Sequence, residues 1–287
     1  MIYQAATPER LALVRVLVFC LWLWELARDP FERLARLPQA WFQAHGPWLL
    51  VPASLFSAIW DETVLAGLRG LTLGCVAMAL LGVRRQRMWA LIAAAFLTSS
   101  TAFVRGFGHV DHGQVQLLVV TWVLALTPAW SAFAVSPMQR PRPGLDEARL
   151  GFSLLAVVFA FPYFETAAHR LAREGVAMFW SPSIQHFMVR DSLVLDDFAF
   201  ELGPRLAQQA SWIPLFNLAF AAVTVAELLA PLAHLKRPLA IGWLAVMFPF
   251  HLLSPVLMHV SFADNLVLML TLYAWPLSWK SAPETQA

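Results

Sequence analysis

Tyr163-Phe164-Glu165-Thr166-Ala167-Ala168-His169-Arg170-Leu171 closes an apolar run that begins near Leu150, and how it is read decides the kind of chain this is. The run is long enough to cross a hydrocarbon core of roughly 30 Å as a helix. Glu165, His169 and Arg170 then sit where that helix leaves the lipid. Glu165 and His169 are four residues apart and share a face, with Arg170 one step round. Two readings fit. Charged groups at a helix end snorkel into headgroups and anchor the helix. Alternatively they mark a pathway or a site, because charge inside hydrocarbon is costly.

The rest of the chain has the same character. Of 287 residues, 59% are hydrophobic and 13% charged, against about 25% charged in a soluble domain. Thirteen Trp and 21 Phe suit a protein with two water–lipid interfaces to anchor. The expected fold is an all-α, polytopic membrane bundle forming one domain over 1–287. Eight segments are each about long enough to span: 11–27, 63–83, 88–107, 113–135, 150–171, 211–234, 239–258 and 262–279. Segment 11–27 follows charge as a signal peptide would. It is long enough to span with slight bilayer thinning and no small-residue cleavage signal follows, so it reads as a retained helix. The shorter apolar piece 48–60 is interrupted by Pro52 and preceded by Pro47, and reads as interfacial or re-entrant. In the long connection 173–210, Phe179-Trp180 and 193–200 are expected along the membrane surface.

Basic residues orient the spans. Arg84, Arg85 and Arg87, then Arg140, Arg142 and Arg149, then Lys236 and Arg237, and finally Lys280 fall in alternate connections. The positive-inside rule makes those connections and both termini cytoplasmic. Arg28, Arg33 and Arg36 lie in the opposite loop and count against it. With that orientation, His109, Asp111, His112, His169, Arg170, His251, His259 and Asp264 gather at or just beneath the non-cytoplasmic face. Arg69, Glu165 and His251 lie inside apolar runs, where a polar group needs a partner or a wet cavity.

The chemistry open to such a cluster is limited. Cys20 and Cys75 both lie in apolar runs and no C-x-x-C occurs, which argues against a disulfide framework, a zinc ribbon or a thiol–disulfide enzyme. His109-Val110-Asp111-His112 brings ligand-type side chains together, but no H-E-x-x-H or comparable spacing accompanies it, so no metal is expected. There is no G-x-S-x-G elbow, no phosphate-cradling loop and no basic stripe for nucleic acid. Imidazole acid–base work fits best. His112, His169, Arg170 and His251 are expected to line one catalytic cavity, in which His112, His169 and His251 share that work and Arg170 holds an anion. Asp111, Glu165, Arg69 and Trp180 are expected to contact substrate. Glu227, in the sixth segment, could serve as a proton relay, but a structural pairing with Arg15 is the expected role. Pro162, Pro214, Pro249 and Pro255 are expected to kink their helices.

The stretch 163–171 followed by Phe179-Trp180 resembles the helix end of the vitamin K-dependent γ-carboxylases and their bacterial relatives with a horizontally transferred transmembrane (HTTM) domain. Asp111-His112 before a Gln- and Leu-rich helix is similar to that family's Asn-His pair, and Phe250-His251 with Ser261-Phe262 to its Phe-His segment. Arg15 and the run from Glu227 to Pro231 also resemble it. The resemblance extends over 11–279. It implies an HTTM-type bundle in a bacterial inner membrane, reduced vitamin K or another quinone as cofactor, and an exported peptide as substrate. It also implies a catalytic Lys where this chain has Arg170, whose guanidinium stays protonated and is no base. The second reading is therefore a non-catalytic maturation, binding or immunity factor for an exported peptide.

Overall fold

The computed structural model describes residues 7–108, 112–127, 132–135, 145–194 and 201–274. Among the described residues all regular structure is helical: α1 (Pro8–Arg28), α2 (Ala53–Ile59), α3 (Glu62–Leu81), α4 (Gln86–Arg105), α5 (His112–Leu126), α6 (Leu145–Glu174), α7 (Ser183–Val194), α8 (Leu202–Ala207), α9 (Ile213–Leu228), α10 (Arg237–Met258) and α11 (Ala263–Met269). Among the described residues, five stretches are long and apolar enough to cross a membrane: Glu62–Leu81, Gln86–Arg105, Asp146–Glu174, Ala210–Leu228 and Arg237–Met258.

The other expected spans differ for local reasons. Segment 11–27 is helical, but α1 is not among the five and buries Arg10 and Arg15. α5 ends at Leu126, short of 135, where Pro128 follows and disfavours helix in the residue before it. α9 ends at Leu228, and Ala230–His234 form a 3₁₀ turn with Pro231 in its first turn instead of continuing the helix. α11 ends at Met269 and runs on as a π turn, Leu270–Ala274, while 275–279 lie outside the described residues. Segment 48–60 does break as its prolines require, into a 3₁₀ turn, Gly46–Leu50, and the two-turn α2 capped by Pro52.

The chain divides into two compact units, one of Ala6–Leu155 and one that takes in the chain from Ala156 on, and the division falls within α6. In the N-terminal unit α3 packs against α1 and α4, and α5 against α4 and α1. Indole N–H groups tie these helices. Trp22 Nε1 donates to Thr121 Oγ1 at 2.7 Å, and Trp122 Nε1 to Thr98 Oγ1 at 3.0 Å. Arg15 reaches from α1 to the carbonyls of Ala132 (3.2 Å) and Phe133 (2.9 Å). The Phe42 ring packs among Trp48, Phe56, Trp60, Phe103 and Phe107, with centroids 4.9–6.4 Å away. A side chain at Gly106 would run into that ring, so the glycine leaves the room in which Phe42 packs at the end of α4.

In the C-terminal unit α10 packs against α7, α8, α9 and α11. Trp243 Nε1 donates to Ala226 O at 3.0 Å, satisfying one of the last-turn carbonyls of α9 that a helix end leaves unpaired. Gly203 lets α8 sit directly on the α10 backbone at Leu257, where any Cβ would collide with the carbonyl oxygen.

Candidate functional site

Two side chains of α6 build the candidate site because of their spacing. Tyr163 and Arg170 are seven residues apart, two turns and roughly 10 Å along the axis, so they share a face. That face is turned into the C-terminal unit, where Tyr163 is buried and Arg170 half-buried. Glu165 and His169 share a different face, and both are exposed.

Tyr163 meets α10. Its hydroxyl lies 3.0 Å from His251 Nε2, within a bed of rings from Phe159, Trp243 and Phe262. The Asn265 side chain adjoins the same hydroxyl. His251 is only 2% exposed and Asn265 5%. His251 Nδ1 and Asn265 Oδ1 are both buried with no partner among the described residues. In either tautomer the imidazole thus spends one nitrogen on the phenol and keeps the other unsatisfied. Such an orphan costs about 1–3 kcal/mol, so the position is one where a ligand atom or a water would be bound well.

Arg170 meets α9. Nη1 donates to Glu227 Oε2 at 2.9 Å and to Thr224 Oγ1 at 3.0 Å, and the guanidinium lies 5.1 Å from the Phe220 ring centroid. Thr224 and Glu227 are three residues apart, one turn of the same α9 face. The expected Arg15–Glu227 pair does not form: Glu227 binds Arg170, and Arg15 binds two backbone carbonyls. Arg170 is therefore an ion-paired residue before any ligand arrives.

The other expected site residues are placed as follows. Arg69 belongs to the N-terminal unit and donates to Leu26 O (2.7 Å), Ala27 O (3.2 Å) and Glu32 (2.8 Å). It thus caps the C-terminal end of α1. Asp111 lies outside the described residues, as does the side chain of His112, the first residue of α5. Trp180, after the 3₁₀ turn Val176–Phe179, is 76% exposed. His259 ends α10 in the left-handed conformation and is buried, as is Asp264. No group of three or more His, Cys, Asp or Glu able to hold a metal occurs among the described residues.

Tyr163, Thr224 and Asn265 carry roles that sequence reasoning did not assign. The seven-residue interval between Tyr163 and Arg170 was the available signal for the first. Beyond α9, His234 is buried against the Tyr273 hydroxyl at 3.1 Å, and burial pushes its pKa down from 6.5 to about 4. No protein-family model, no curated protein and no solved structure matches this chain.

Proposed function

We propose that this chain is an integral membrane protein of HTTM type, with eight spans and both termini cytoplasmic. In this reading the Tyr163–His251 pair does acid–base work on a quinone-like cofactor in the service of an exported peptide. The observation that carries it is the buried 3.0 Å phenol–imidazole contact whose second ring nitrogen has no partner among the described residues. Imidazole is the side chain best suited to move a proton near neutral pH, and a positioned acid or base contributes about 10²–10⁴-fold. Arg170, held by Glu227, supplies fixed positive charge and no proton transfer. His169, exposed on another face of α6, has no part in the pair.

The test is oxidation of a reduced naphthoquinone by dissolved dioxygen, the electron acceptor, catalysed by the purified protein in lipid nanodiscs. His251→Gln and Tyr163→Phe should each slow it by at least about 10²-fold. The second reading, a non-catalytic factor that binds an exported peptide, is favoured by the ion-paired state of Arg170, where the resembled family has its catalytic Lys. No turnover by the wild type, or turnover undiminished from wild type in both variants, would decide for it.

A further inference from the structure

α7, α9 and α10 enclose a cleft of about 280 Å³ in the C-terminal unit. Its walls include Met188 of α7, Ala219, Phe220 and Val223 of α9, and Phe250 and Leu257 of α10. Among the described residues, the one polar side chain in the lining is Ser254, and its hydroxyl already donates to Phe250 O at 2.7 Å. A polar occupant would leave its own donors and acceptors unsatisfied, so the cleft suits hydrocarbon.

The surroundings say which hydrocarbon. Leu215 and Leu218 of α9 and Leu252 and Leu253 of α10 are 51%, 67%, 54% and 49% exposed, on two helices long and apolar enough to cross a membrane. Leu253 also belongs to the lining, so the cleft adjoins that apolar surface. A partner helix, roughly 10 Å across, is too thick for the space, whereas one extended chain fits.

We propose that this cleft seats one acyl chain of a bilayer phospholipid, selected by the chain and not by the headgroup. The site is built for it. Ala219 and Ala222 leave the room on the α9 wall, and the Gly203 contact holds α8 against Leu257 at the other wall. A chain in place packs on Phe220, the ring over which the Arg170 guanidinium lies at 5.1 Å. The bound lipid and the Arg170–Glu227 pair therefore share a side chain. This goes beyond the acid–base reading and stands whether or not that reading holds.

The test uses the full chain in nanodiscs of phosphatidylcholine or of phosphatidylglycerol. Each is doped with the matching phospholipid carrying a diazirine midway along one acyl chain, and adducts are mapped by peptide mass spectrometry. Labelling should concentrate on Met188, Ala219, Val223 and Leu257, well above that on lipid-facing Leu218 and Leu252, and to a similar extent with both headgroups. Ala219→Trp, and separately Ala222→Trp, should cut labelling of the cleft several-fold while Leu218 stays labelled, which shows that the fold is kept. If either variant fails to fold, the wild-type pattern decides alone. Even labelling of cleft and lipid-facing positions, a strong headgroup preference, or labelling by a diazirine fatty acid but not by the phospholipid would overturn the proposal.

Discussion

Arg170 and Glu227 show how a charge is kept inside an apolar unit. Their side chains are 19% and 6% exposed, and the pair adds a Thr224 hydroxyl and the Phe220 ring to the Coulomb attraction. Removing one member of such a pair typically costs about 3–5 kcal/mol because the other is left uncompensated, while replacing both by apolar residues is often close to neutral. Arg170→Met should therefore lower the unfolding midpoint in detergent strongly, and Arg170→Met combined with Glu227→Leu should recover most of the loss. Additive losses in the double variant would mean that the two residues do not act as a pair. His234 makes a second residue-level prediction. Its pKa is 6.5 when unfolded and about 4 when folded, so between those values the unfolded chain binds the extra proton. Its contribution is fully present above pH 6.5 and declines as pH falls toward 4, by on the order of 3 kcal/mol in all. Thermal unfolding followed from pH 7 to pH 4.5 should show that decline. His234→Gln, which keeps a hydrogen-bonding side chain but has no imidazolium, should show less of it.

At the scale of elements, helix ends and helix contacts are secured by the few polar groups that an apolar sequence retains. Arg69 of α3 gathers the carbonyls of Leu26 and Ala27 at the end of α1, together with the carboxylate of Glu32. Trp22, Trp122 and Trp243 each spend an indole N–H on a neighbouring helix. Where apolar contact is no more favourable between helices than with lipid, such bonds and close packing decide which helices meet. Arg69→Met should destabilise the N-terminal unit by about 1.5–3 kcal/mol, the range for hydrogen bonds to charged groups. Earlier amide exchange at the end of α1 than in the rest of the helix would locate the effect, and uniform exchange would contradict the capping role. Gly106→Ala should displace the Phe42 ring and change the fluorescence of Trp48 and Trp60, which pack on it.

At the scale of the whole molecule, the proposed topology makes its own prediction. Cys20 is exposed and both native cysteines are free, so both are first replaced by Ser. In that background, Ser261→Cys should react with an impermeant thiol reagent from outside intact cells, and Arg87→Cys only after the membrane is opened. The reverse pattern would invert the orientation drawn from the basic connections. It would also place the end of α10, with His251 near it, toward the cytoplasm.

Length and composition are local properties, and they are what the sequence determined. Apolar runs of about twenty residues can satisfy their backbone in lipid only as helices. That is why α3, α4, α6, α9 and α10 lie where hydropathy put them. Local signals also set the breaks at Pro52 and Pro231 and the end of α5 at Leu126, although the expected lengths overran the last two. Which face of a helix turns inward depends on its neighbours, and only the tertiary structure decided that. Within 163–171, charge and four-residue spacing singled out Glu165 and His169, yet the face that packs is the one carrying Tyr163, Ala167 and Arg170. The partner of Glu227 was undecided for the same reason. Arg15 and Arg170 are both arginines in apolar runs, and it is the packing of α6 against α9 that brings the second within 2.9 Å. His251 was visible as a histidine inside a span. Its phenol partner became visible only once α6 and α10 were side by side.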